Sequence, residues 1–358
     1  MIKKMKKLGI LALAVISITS CQKESFTPTA SEGNYKNGYF VTNEGNFGTG
    51  NGSISFISNE GDVENDVFSQ INSFQLGDVV QSMSIINEKA YIVVNGSAKI
   101  EVASDDSLHY ITTINGFSGP RNMLQVSTNK AYVTDWFSNK VQVINLDNNE
   151  IISSIDCGQG PESLCINDNL VYVCNIGGYS VDSTISIIDV DSDMLINTLT
   201  VGDKPSGVVI DINNDIWVLS SGATYFDANW NIESETQGKL VKISNGDIVS
   251  SFAFELGNHP KGLMINESRD ILYFSNGNIM EVCNQCDAIY SFNINDTELP
   301  STPIINRSFY KTAIDNNYIY GSDAVDYIQN GWSYQYNQIG ILIDSMRVGI
   351  IPGGYCFN

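Results

Sequence analysis

The phrase Phe40-Val41-Thr42-Asn43 returns as Ile92-Val93-Val94-Asn95, Tyr132-Val133-Thr134-Asp135, Tyr172-Val173-Cys174-Asn175, Trp217-Val218-Leu219-Ser220, Tyr273-Phe274-Ser275-Asn276 and Tyr320-Gly321-Ser322-Asp323. The starts are 52, 40, 40, 45, 56 and 47 residues apart, and all copies but the one at Ser220 end in Asn or Asp. One such match is chance; seven in order are not. A period of this length built on strand-forming residues is the mark of propeller blades.

Working outward from the third copy gives the blade. Asn122–Val126 predicts a strand A, Lys130–Thr134 strand B, Lys140–Ile144 strand C with alternating apolar residues, and Ile151–Ile155 strand D. Asn- and Asp-rich turns separate them. A Gly/Pro link then leads to the next repeat, as in Ser118-Gly119-Pro120, Gly158-Gln159-Gly160-Pro161, Gly202-Asp203-Lys204-Pro205 and Gly257-Asn258-His259-Pro260. The first repeat enters directly at strand B and lacks an A strand. Gly354-Tyr355-Cys356-Phe357-Asn358 follows a complete seventh repeat and reads as a spare one. Pairing the two closes the ring and removes the open edges. The expected fold is all-β: a seven-bladed propeller of four-stranded antiparallel blades over residues 35–358, closed by pairing the C-terminal strand with the N-terminal blade.

The two faces differ in sequence. A–B and C–D turns are short and acidic. The B–C connections are long and aromatic: Phe47 in the Gly-rich run Glu44–Gly52, Trp136 and Phe137, Tyr179, then Tyr225, Phe226 and Trp230 between Ser221 and Gly238, and Tyr327, Trp332, Tyr334 and Tyr336 between Ala324 and Gln338. Long aromatic loops in a small-period fold point to a binding surface, with about half of such rings serving only to cover strand ends. The D–A links bring Gln81, Arg121, Asn122, Glu162, Ser163, Lys204, Ser206, His259, Lys261, Tyr310 and Lys311 to the mouth of the pore, where they can orient a polar ligand. The Asn and Asp residues that end each phrase read as Asx-type turn residues.

Net charge is −21, and removing the first 20 residues, with four Lys and no acid, makes it −25. Such a surface argues against nucleic-acid phosphates and anionic lipid as partners. At the N-terminus, Lys3, Lys4, Lys6 and Lys7 precede an apolar run from Leu8 to Ile18 that is too short to span a bilayer, followed by Ile18-Thr19-Ser20-Cys21. This order resembles a lipoprotein signal, which implies residues 1–20 as signal peptide, Cys21 as the acylated residue and 21–34 as a flexible tether. Gln22-Lys23-Glu24 resembles an export tag and implies display on the outer face of the outer membrane. Membrane contact is then through the lipid anchor alone.

Cys283 and Cys286 form a C-x-x-C, read first as a local disulfide in an exported protein. Cys165 and Cys174 either pair or sit free in the core. Asp189-Val190-Asp191-Ser192-Asp193 begins like a calcium loop but has Met194 where Gly belongs and Thr200 where Glu belongs, so it reads as a turn. The chain has two His, His109 and His259, and no G-x-S-x-G or H-E-x-x-H. No residue set makes a catalytic or metal-binding case.

The Tyr-Val-Thr-Asn phrases with their Gly-x-x-Pro links resemble the YVTN/YncE-like seven-bladed propellers. The run Asn43-Glu44-Gly45-Asn46-Phe47-Gly48-Thr49-Gly50-Asn51-Gly52-Ser53 behind a lipoprotein signal resembles a narrower group of surface lipoprotein propellers, the BtuG-like proteins among them. That resemblance implies capture of vitamin B12 or a related corrinoid and its delivery to a TonB-dependent outer-membrane transporter. Cobalamin is then a ligand; no cofactor is required, and a monomer is expected. His259 is either a cobalt ligand or a plain pore-rim residue, the second being the commoner role of a lone His. The alternative is a surface module for glycan or protein, and a third reading is a metal-assisted lactonase or lyase. If the top face binds the ligand, Trp332→Ala or Trp230→Ala weakens it.

Overall fold

Strand B of each repeat is apolar on both sides because both of its faces are covered. Phe40 packs with Ile54, Met83 and Ile92 between the first and second blades, while its neighbour Val41 packs with Ile57, Tyr320 and Val348 between the seventh and the first. Val133 and Tyr132 divide in the same way, one toward blade 2 and the other toward blade 4. Side chains alternate across a strand, so a strand sandwiched by sheets on both faces needs an unbroken apolar run. Each such side chain, fully buried, contributes about 1.5–3 kcal/mol.

A computed structural model describes residues 34–277 and 287–358. Cys21, the predicted signal peptide 1–20, nearly all of the tether, and Cys283 and Cys286 lie outside the described residues. Glu32–Asn358 forms one compact unit. Blades 2, 3 and 4 are uninterrupted meanders: Val80–Ile86, Lys89–Val94, Lys99–Ser104 and Tyr110–Asn115; then Pro120–Ser127, Lys130–Asp135, Lys140–Asn145 and Glu150–Asp156; then Pro161–Asn167, Leu170–Asn175, Thr184–Asp189 and Met194–Thr200. Blade 5 is Pro205–Ile210, Ile216–Ser220, Lys239–Ser244 and Asp247–Ala253, and blade 7 is Thr312–Asp315, Tyr318–Asp323, Asn330–Asn337 and Leu342–Ile350. Blade 6 has Lys261–Ile265, Ile271–Gly277 and Asp287–Asn293, and its outer position is held by an antiparallel bridge between Ile289 and Ile305.

The ring closes as the sequence predicts. In blade 1, Pro352–Phe357 is the innermost strand, followed by Gly38–Asn43, Ser53–Ser58 and Val63–Glu64. Its register pairs Phe40 with Cys356 and Val41 with Tyr355. The core is accordingly a ring of seven apolar clusters, one at each blade–blade junction. A six-residue helix, Val67–Asn72, buries Val67 and Phe68 between blades 1 and 2.

Two loop expectations change. Trp332, Tyr334 and Tyr336 belong to strand C of blade 7, not to a loop; aromatics at every second position are a strand pattern, and Tyr334 and Tyr336 face the junction with blade 6. In blade 5 the Ser221–Gly238 segment carries its own hairpin, Thr224–Phe226 paired with Ile232–Glu235.

Three of the residues that end the repeated phrase, Asn43, Asp135 and Asn175, are buried clamps rather than Asx turns. Asp135 is fully buried and accepts the backbone N–H groups of Ser118 (2.9 Å) and Gly119 (2.7 Å), so it fixes the link entering its own blade. Asn43 donates to Ser53 and Ser55, and Asn175 to Thr184 and Ser186, reaching sideways onto strand C. Asp323 alone shows the expected turn, accepting from Val325 N at 2.8 Å. Asp135→Ala leaves the buried Gly119 N–H and the part-buried Ser118 N–H without their acceptor and should cost about 2 kcal/mol in urea unfolding. A wild-type midpoint would show that water takes the place of the carboxylate.

Cys157, Cys165, Cys174 and Cys356 are free thiols; Cys165 and Cys174 pack into the junction of blades 4 and 5 and do not pair. Burial pushes Cys165 up to about 12, leaving it an inert thiol at neutral pH. Among the described residues no helix is long and apolar enough to cross a membrane.

Candidate functional site

Each A strand starts at the pore mouth, so the link before it delivers polar side chains there. The result is a cavity of about 570 Å³. Of the eleven link residues expected at the mouth, nine line it: Gln81, Arg121, Asn122, Glu162, Ser163, Ser206, Lys261, Tyr310 and Lys311. Lys204 and His259 do not. Lys204 holds a left-handed backbone (φ 55°) and donates its N–H to Asp182 O. His259 has both ring nitrogens engaged away from the pore, Nδ1 with Ser221 O at 3.1 Å and Nε2 with Thr224 Oγ1 at 3.2 Å, with Glu235 3.6 Å from Nε2. It braces the base of the blade 5 hairpin, which corrects its expected place on the pore rim.

Arg121 organises one side of the cavity. Its Nε and Nη2 donate to the two Glu162 oxygens at 2.8 and 3.0 Å, and its Nη1 donates to Gln81. The Trp136 ring lies 4.2 Å from the guanidinium carbon. A planar cation held on one edge by a carboxylate and on one face by an indole is fixed in position and keeps its remaining N–H groups directed elsewhere. Glu162 is only 8% exposed, so this ion pair is well shielded from screening.

Across the pore, Tyr310 donates to Glu44 Oε2 at 3.0 Å. A Cβ on Gly353 would lie 2.5 Å from Glu44 Oε1, so glycine is what lets this carboxyl sit against the closing strand. Burial pushes Glu44 above the usual carboxylate range; Lys311, the Tyr310 hydrogen bond and Arg121 pull it partly back. For an acid with a raised folded pKa, the penalty is absent below the ordinary carboxylate range and grows as pH rises through the raised one. Burial and the neighbouring Glu44 charge likewise raise Tyr310, which stays a hydroxyl donor. Lys261 pairs with Asp287 at 3.2 Å.

The rim is aromatic and continuous with this cavity on one side. Trp136 contacts Phe137 and Tyr179 at ring distances of 6.5 Å each, and Phe137 stacks on Tyr179 at 5.9 Å and 19°. Phe137 is 53% and Tyr179 91% exposed. Gly119 leaves room for the Phe137 ring, whose nearest atom would be 2.6 Å from a Cβ there. On another side Tyr327 meets Tyr310 edge-on at 5.8 Å, its carbonyl accepting from Asn46 Nδ2 at 2.6 Å. Phe47 stands in water on the Gly-rich loop, which Asp78 ties to blade 2 through Gly48 N at 2.9 Å.

The blade 5 hairpin carries Tyr225, Phe226 and Trp230, all exposed, with Trp230 at 83% and near its tip. Asp227 builds that tip by accepting from Asn229 N and Asn231 N. Trp332 sits inside the strand, with Arg347 over its ring at 5.1 Å, and Tyr336 is buried; neither belongs to the exposed rim. Tyr334 is covered by Arg307 at 3.7 Å. Glu44 was not singled out from sequence as a site residue; its signal was its place one residue after a repeated phrase, beside the Gly-rich run. Among the described residues no group of three or more His, Cys, Asp or Glu side chains could hold a metal ion.

The family model described as "Domain of unknown function (DUF5074)" matches residues 37–347. No curated protein matches the chain. Similar solved structures include a quinoprotein alcohol dehydrogenase-like protein from Bacteroides thetaiotaomicron, at 15% identity and TM-score 0.66, covering 90% of this chain and 79% of that one. A Bacteroides fragilis protein carrying a 6-phosphogluconolactonase designation is similar at 12% identity and TM-score 0.61, covering 89% and 97%. Hydrazine synthase of Kuenenia stuttgartiensis follows at 13% identity and TM-score 0.57, covering 77% and 88%. At these identities the likeness is one of fold.

Proposed function

The chain belongs to the DUF5074 family, and from that premise we propose that it is a surface-anchored binding protein that captures a wide, mixed polar and apolar ligand on its top face, a corrinoid such as vitamin B12, for delivery to a TonB-dependent outer-membrane transporter. One observation carries the binding reading: the locked Arg121–Glu162–Gln81 set and the exposed Phe137–Tyr179 stack are joined through a single side chain, Trp136. A ligand seated there meets fixed polar groups at its centre and aromatic faces at its edge. A corrinoid presents that combination, with amide arms around a broad ring. The corrinoid itself, the lipid anchor at Cys21 and the transporter rest on the sequence resemblance.

A glycan is the competing ligand, favoured by one feature: exposed stacked rings also suit sugar faces. The double variant Phe137→Ala/Tyr179→Ala separates rim from core. These rings are exposed, so folding should be unaffected, while cyanocobalamin affinity should fall about 30-fold or more, the loss of two aromatic contacts of about 1 kcal/mol or more each. Wild-type affinity in the double variant would move the ligand off this rim. Selective glycan-array binding without cyanocobalamin binding would replace the corrinoid with a sugar.

A further inference from the structure

Two cationic side chains of the pore, Arg121 and Lys311, keep N–H groups without partners among the described residues. A guanidinium has five N–H groups. Arg121 places three of them, two on Glu162 and one on Gln81, which leaves two without partners among the described residues. Lys311 lines the same cavity, and among the described residues its ammonium makes no hydrogen bond and no ion pair. Tyr310 is committed to Glu44. Arg121 and Lys311 come from blades 3 and 7, yet both act electrostatically on Glu44. The unspent donors therefore open into one cavity at the pore mouth, beside the Trp136 ring.

We propose that the pore mouth seats one anionic oxygen group of the ligand, a carboxylate or a phosphate, between the free edge of Arg121 and the ammonium of Lys311. An anionic oxygen group gives the free N–H groups of Arg121 and the Lys311 ammonium charge-assisted acceptors, which a neutral amide or hydroxyl does more weakly. This seat deepens the top-face reading above and rests on it for the rest of the ligand.

The proton balance follows. Glu44 faces Lys311, Tyr310, Arg121 and Glu162. An arriving anion adds negative charge beside a carboxyl already raised by burial, which raises it further. Anion binding then takes up a proton at Glu44. Over the pH range in which the ligand stays ionised, affinity declines as pH rises past the raised Glu44 range, and Glu44→Gln removes that part of the dependence.

The test is calorimetric titration of the purified protein with inorganic phosphate and, separately, with succinate, at fixed ionic strength in chloride. Saturable binding of one or both at millimolar ligand is expected. Phosphate alone assigns a phosphate group, and succinate alone a carboxylate. Lys311→Met should stay folded, since the ammonium makes no hydrogen bond or ion pair among the described residues, with only the electrostatic support it gives Glu44 removed. It should weaken the anion about tenfold or more, the worth of one charge-assisted contact. Absence of saturable binding by either anion, or an unchanged affinity in Lys311→Met, overturns the proposal. Cyanocobalamin titrated into the same samples reports separately on the corrinoid. Anion binding without cobalamin binding discards the corrinoid and keeps the seat, and cobalamin binding without anion binding does the reverse.

Discussion

Deleting residues 352–358 should abolish cooperative unfolding of the propeller. Strand Gly38–Asn43 would lose its inner partner along the register Tyr39–Phe357 to Asn43–Pro352. The deletion also removes Tyr355 and Phe357, whose rings pack on Tyr39 and Tyr320, and the buried Cys356. These three side chains, two of them only partly buried, contribute about 1–2 kcal/mol each, or about 3–6 kcal/mol together, before the lost ladder is counted. That is comparable with the whole stability of many domains. The deletion also leaves the inner edge of Gly38–Asn43 unpaired, so aggregation on refolding should accompany the loss. Urea unfolding followed by circular dichroism reads the effect directly. A deletion variant that unfolds cooperatively near the wild-type midpoint would mean that this strand does not close the ring.

Arg121→Met should damage folding and binding together. It strips the counter-charge from Glu162, a carboxylate with little access to water, and exposes one face of Trp136. Removing one partner of a buried pair costs about 3–5 kcal/mol, more than the net worth of the pair, because the other charge is stranded. The double variant Arg121→Met/Glu162→Gln should recover most of that stability, since no unpaired ion remains. It should not recover ligand affinity, which needs the guanidinium. Recovery of both would make the pair a structural feature of the pore and remove it from the site.

The fold was legible because the physics that sets it is local and repeated. Strand B must be apolar on two faces, and that requirement writes the same phrase seven times. The missing A strand at one end and the spare one at the other are a counting problem that the chain solves in plain sight. What was less legible arises where two rules compete. Trp332, Tyr334 and Tyr336 satisfy both an aromatic-loop reading and a strand alternation; burial against blade 6 decides for the strand. The phrase-ending Asn and Asp have the composition of turn residues, but strands packed on both sides leave Asn43, Asp135 and Asn175 buried, where Asp135 holds a link and the two Asn hold strand C instead.

The site shows the same division. The residues that line the pore follow from the blade order, because every link enters at the same end of the ring. The partners do not. That Arg121 is shared by Gln81 and Glu162, forty or so positions away on either side, is a property of adjacent blades and becomes visible only once the ring is assembled. His259 was drawn to the rim by its position in a link; the hairpin inserted in blade 5 claims both of its nitrogens. Glu44 entered the site because Gly353 of the closing strand leaves space for it, a fact about a residue more than 300 positions away.

The most direct measurement is a calorimetric titration of cyanocobalamin into the purified wild-type protein, with co-elution in gel filtration as a second readout. One-to-one saturable binding that is weakened by Phe137→Ala/Tyr179→Ala is the predicted result. Absence of binding at micromolar protein, with the propeller intact by circular dichroism, would contradict corrinoid capture and leave the top face to a different ligand.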